Sequence, residues 1–241
     1  MPLETITLEH LPDTHKAHLA FFRNVQNASF LHEQLLARNA DFEYAFIDAS
    51  VCERPACVLD AVEQRVKRHR ALSPEALFLA ERNLLVLVLT FTRLQIISRL
   101  QVLSAVFRAT TTLVHGTLKT PNVHSEVVAS LTSSNNIAEA YRRFGVSPAT
   151  RDLIVVKVTF PSATSPEPSS AESVWSHLKE HVLGEAADLT DEALVAITDL
   201  SKIRKYYKLN GLNWLENVED ERTRRKELES LILGGMALRG I

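Results

Sequence analysis

Apolar residues recur along the chain in two spacings, and each spacing predicts an element. Residues 3–9 (LETITLE) and 17–23 (AHLAFFR) are β-rich runs with the turn formers Pro12 and Asp13 between them, which predicts two short strands. Asn27 then precedes ASFLHEQLLARN, where Phe30, Leu31, Gln34 and Leu35 keep helical spacing behind a cap. Residues 43–48 (EYAFID) predict a third strand. The stretch 100–116 (LQVLSAVFRATTTLVHG) places Leu103, Val106, Phe107 and Leu113 in one stripe of a long helix, with Gly116 as its stop.

Farther on, the β-branched run VHSEVVASL (123–131) predicts a strand, and the apolar run DLIVVKVTF (152–160) predicts a strand buried on both faces. Between them lies SSNNIAEAYRRFG (133–145). Asn136 is a good N-cap, Glu139 follows three residues later, and Ile137, Ala140, Tyr141 and Phe144 share one face. Gly145 is expected in the left-handed conformation that ends such a helix. Strand, helix and strand with short links predict a crossover unit in a mixed α/β sheet. The Pro- and Ser-rich segment 161–173 predicts a mobile loop. Three helical pieces follow (VWSHLKEHVLG, TDEALVAI, DLSKIRKYYKLN), and an amphipathic helix carrying Leu228, Leu231, Ile232 and Met236 closes the chain. The fold class is therefore a mixed α+β single domain, with a mostly antiparallel or mixed sheet flanked by helices.

Composition narrows the chemistry. The chain has 241 residues and a formal charge of −2, so no global basic field attracts nucleic acid and any such contact must be local. With 7 glycines and no GxGxxG or GxxxxGK, the usual phosphate cradles are missing. Cys52 and Cys57 lack metal-ligand spacing, and only His177 and His181 share a helix face, without HExxH. No catalytic residue, metal or cofactor is expected. The longest apolar run, 84–92, is far short of the ~20 residues that span a bilayer. Basic residues gather at Lys119, Arg142, Arg143, Arg151 and Lys157, and again in KIRKYYKL (202–209), where Tyr206 and Tyr207 could stack bases. From the residues alone, a soluble binding module and a solvated charged surface both remain open.

The block KTPNVHSEVVASLTSSNNIAEAYRRFGVSPATRDLIVVKV (119–158) resembles the kinase-binding subunit family of the KEOPS/EKC complex, also described as the PRPK-binding proteins. Residues 23–50, 100–109, 198–209 and the tail MALRGI (236–241) share the resemblance. It implies a non-catalytic regulatory subunit, without cofactors, that binds and activates a small atypical kinase/ATPase subunit. Through that subunit it meets the threonylcarbamoyl-transferase and a small dimerisation subunit. The complex modifies adenosine 37 of tRNA in cytoplasm and nucleus, and the family subunit helps hold the tRNA 3′ CCA end. The alternative is a free-standing RNA-binding module. The resemblance implies a kinase contact through Leu103, Val106, Phe107, Leu238 and Arg239, and a tRNA contact through Lys119, Asn135, Asn136, Arg142 and Arg143. The family's IDAS strand is expected to lead almost directly into VLSAVFRA. Here residues 51–95 intervene. Val51, Leu89–Thr90 and Gln95 admit codons matching the start, branch and end signals of a fungal-type intron, so this segment is expected to be an insertion or a retained intron.

Overall fold

The computed structural model describes residues 2–50, 96–161, 168–195, 198 and 200–239. The expectation for 51–95 therefore lies outside the described residues, as do residues 162–167 of the expected loop at 161–173. That loop is shorter than expected, because Ser170 caps a helix that already begins at Ala171. Among the described residues five strands form one antiparallel sheet: β1 (Leu3–Thr7), β2 (Lys16–Arg23), β3 (Ala45–Asp48), β4 (Leu153–Thr159) and β5 (Glu185–Ala187). The order is β1-β2-β4-β3, and β5 pairs with the far end of β2. The apolar run at β4 takes the central place expected of it, between β2 and β3.

Period-two alternation divides the strand side chains between two cores. Leu19, Phe21, Ile47, Ile154 and Val156 face one way, and Ala20, Phe22, Phe46, Leu153 and Val155 face the other. Helices α1 (Ala28–Leu36) and α5 (Ala171–His181) cover the second face. The first face carries α2 (Arg99–Val114), α3 (Val123–Ser130), α4 (Ile137–Phe144), the short helices α6 (Asp191–Val195), α7 (Leu200–Tyr206) and α8 (Asn213–Glu216), and the closing helix α9 (Glu221–Ala237). Phe21, Phe46 and Phe144 are fully buried, each contributing about 1.5–3 kcal/mol of burial.

Residues 123–131, expected as a strand, form helix α3, so the expected crossover unit is not present. Seven of its eight residues are buried, from Val123 and His124 through Glu126 to Ser130. Buried on nearly all sides, with His124, Glu126 and Ser130 inside as well as the valines, the helix shows no single apolar stripe, and its β-branched valines read as a strand. The signal for a helix is its cap: Asn122 Oδ1 accepts from the Ser125 amide at 2.8 Å. Three further details depart from expectation. Asn27 makes no cap bond to α1. Its side chain instead donates to the His181 carbonyl at 2.7 Å and accepts from the Leu183 amide at 3.0 Å, tying the start of α1 to the end of α5. Gly145 is extended (φ −70°, ψ 150°), not left-handed. β5 and α8 were not expected at all.

Candidate functional site

Helix α2 is apolar on two sides, and the two sides do different work. Val102, Ala105, Val106 and Ala109 point into the core and are fully buried. Leu100, Leu103 and Phe107 recur at i, i+3 and i+7 on the opposite side. Together with Leu233, Met236 and Ala237 of α9 and Leu8 of the β1–β2 turn, they line a groove of about 650 Å³. Leu100 is 49% exposed, Phe107 40%, and Leu238 just past the end of α9 is 67% exposed. An apolar concavity rimmed by exposed large side chains is the form a protein-docking surface takes.

One arginine closes the end of this groove. Arg108, also in its lining, donates through Nη1 to the Met236 carbonyl and through Nη2 to the Arg239 carbonyl. The Met236 carbonyl also accepts the Arg239 amide at 3.3 Å, so Arg108 adds a second donor there, and a cation at this end of α9 complements the helix dipole. Of the five residues expected to meet a kinase, Leu103 and Phe107 line the groove and Leu238 stands exposed beside it. Val106 is at 0% exposure and Arg239 at 5%, so these two lie inside the fold and not on its surface. Leu100, Leu233 and Leu8 were missed. The outer i, i+3, i+7 spacing of Leu100 was legible, whereas Leu8 reaches the groove only through the sheet topology.

The second group of expected residues surrounds the turn 131–136. Asn136 caps α4, accepting from the Glu139 amide at 3.1 Å. Glu139 Oε1 stands 3.6 Å from Arg142 and 3.7 Å from Arg143, so one carboxylate serves both cations. The Arg142 side chain is still 52% exposed, and Arg143 lies over the Tyr206 ring at 5.6 Å. Asn135 and Asn136 are exposed. Lys119 precedes α3 whereas Asn135 follows it, so α3 separates the two. Lys157 points to the other face of the sheet, where its Nζ donates to the Glu43 carbonyl at 2.7 Å, and it does not join the arginines.

The tyrosines of KIRKYYKL are engaged within the fold. Tyr207 donates to the Leu131 carbonyl at 2.7 Å and accepts from Gln101 Nε2 at 3.1 Å, while Tyr206 bonds Thr132. Burial raises the pKa of both phenols. They brace the turn rather than offer free faces for stacking. Among the described residues no group of three His, Cys, Asp or Glu could hold a metal ion, and no helix is long and apolar enough to cross a membrane.

Comparison with known proteins decides the family. The model of the kinase binding protein CGI-121 family matches residues 22–84 and 90–240. The chain belongs to the CGI-121 family. The match includes most of 51–95, the segment set apart on sequence grounds. A protein of Gibberella zeae named EKC/KEOPS complex subunit CGI121 is 51% identical over 241 residues, covering all of both chains. The proteins of the same name from Neurospora crassa and Schizosaccharomyces pombe are 41% and 26% identical, covering all and 95% of each chain. The CGI-121 match takes in both α2 and α9, the two walls of the groove, and the turn 131–136 between them in the chain.

Proposed function

We propose that this protein is the kinase-binding, non-catalytic subunit of a KEOPS/EKC complex, and that the α2–α9 groove docks the small kinase-like subunit. The observation that carries the reading is the groove itself, with Phe107, Leu100 and Leu238 exposed around an apolar floor. Burying them against a partner removes large apolar side chains from water at the centre of an interface, where binding energy concentrates. A stable contact buries at least ~1,000 Å² in total, so the partner extends beyond the groove onto the neighbouring surfaces of α2 and α9. Val106 and Arg239 contribute by setting the positions of the exposed residues.

The turn 131–136 and the start of α4 engage tRNA in this reading. Arg142 and Arg143 supply local positive charge, and Asn135 and Asn136 supply polar groups for an unpaired 3′ end. Lys119 extends the surface past the far end of α3. The subunit acts by binding and positioning, and raises the activity of the kinase-like subunit on which the threonylcarbamoyl-transferase and the small dimerisation subunit assemble, in cytoplasm and nucleus. Co-purification with the kinase-like subunit, together with gel shifts of intact and CCA-truncated tRNA, tests the reading. Stable co-purification and loss of the shift on truncation support it. Failure of the wild-type proteins to associate refutes it.

A further inference from the structure

The groove and the turn 131–136 meet at one side chain. Arg239 follows the exposed Leu238, yet is itself buried. Its Nη1 donates to the Ala129 carbonyl in the last turn of α3, and its Nε donates to Asn135 Oδ1 at 3.2 Å. Its carbonyl is held in turn by Arg108, which lines the groove and also holds Met236. The same end of α9 packs directly on the turn: a Cβ on Gly235 would lie 3.6 Å from the Ser133 Cβ. Burial and the neighbouring Arg108 charge both work against the Arg239 guanidinium. A cation kept in such a place is there for its directed bonds, and the rigid guanidinium fork can serve two acceptors at fixed angles where a lysine cannot.

We infer that Arg239 is a positioning residue that joins the floor of the groove to the turn carrying Asn135 and Asn136, so that a partner seated in the groove stiffens that turn. The joint is a property of this chain; only the identity of the occupant rests on the docking reading above. By linkage, a ligand of the turn strengthens groove binding by the same factor.

Hydrogen–deuterium exchange of the full chain tests this, with wild type, Arg239→Gln and Arg239→Lys, alone and with the kinase-like subunit. Alone, both variants exchange residues 131–137 about tenfold faster than wild type, the factor for losing one charge-assisted hydrogen bond, while β4 is unchanged. The kinase-like subunit slows exchange of the turn in wild type and not in the variants. Unchanged exchange in Arg239→Gln overturns the joint. Protection of the turn by the partner in that variant overturns the coupling. If Arg239 variants fail to fold, Asn135→Ala removes the exposed end of the same bond, and protection of its turn by the partner would equally overturn the coupling. If wild type fails to bind the kinase-like subunit, the docking reading falls, while exchange of the variants alone still decides the joint.

Discussion

Gly145 lies so close to Tyr141 that a Cβ added to it would stand 2.6 Å from the Tyr141 carbonyl oxygen. The glycine is needed for this approach of backbone to backbone, since its φ of −70° is open to any residue. It lets the chain leave α4 and bridge to Ile47 at the sheet edge. Gly145→Ala therefore destabilises the fold by about 1–3 kcal/mol, measured by urea denaturation. Gly145→Asn does no better than Ala, whereas at a left-handed stop asparagine would be tolerated.

Asn27 yields a prediction of the same kind. As a bridge between α1 and the end of α5, its amide makes two bonds that a shorter side chain cannot span. Asn27→Ser should lose as much stability as Asn27→Ala, about 1–3 kcal/mol in chemical denaturation. A serine that restored stability would show a capping role instead.

His124 gives the fold a dependence on pH. Its Nε2 accepts from the Val158 amide at 3.0 Å, so the ring is neutral with its proton on Nδ1, which faces Glu43 Oε1 at 3.9 Å. Burial, first of all, pulls its pKa below the ordinary 6.5. The unfolded chain thus binds a proton that the fold refuses. Stability is full above about pH 6.5 and falls as the pH drops through and below that value. His18, His177 and His15 are lowered by burial as well and share the window. In His124→Gln the slope of unfolding free energy between about pH 7.5 and pH 5.5 is shallower than in wild type, yet not flat.

Arg142 is the more exposed of the paired arginines. If it meets phosphate, Arg142→Ala weakens tRNA binding and lowers the slope of log K against log salt by about 0.7, the value for one single-strand phosphate contact. Glu139→Gln frees both cations, costs less than ~1 kcal/mol of stability, and strengthens tRNA binding in the same gel-shift assay. An unchanged salt slope in Arg142→Ala would remove this residue from the contact.

How far the sequence announced these features depended on what each residue answers to. β4 and α4 were legible because local pattern and final surroundings agree: an apolar run sits between two cores, and Asn136 caps the helix that its spacing predicts. Helix α3 was not, because tertiary burial overrode the strand preference of its valines. β5 was illegible for the opposite reason. Glu185–Ala187 has no strand character of its own and pairs only because the end of β2 offers it an edge. Arg239 and Tyr207 read as surface residues, and their roles arise from contacts with residues far away in the chain, Ala129 and Leu131. The outer stripe of α2 was visible in spacing, but that it forms a groove depends on where α9 comes to rest.

The central claim is that the α2–α9 groove docks the kinase-like subunit, and calorimetric titration with single substitutions tests it most directly. Phe107→Glu and Leu238→Glu should each weaken binding about 30-fold or more, as for anchors at an interface centre. Phe30→Glu is the control, since Phe30 is exposed to the same 40% as Phe107 but packs on Phe42 on the other side of the sheet. It should leave the affinity unchanged. Wild-type affinity in both groove variants, or a loss confined to Phe30→Glu, would contradict the account.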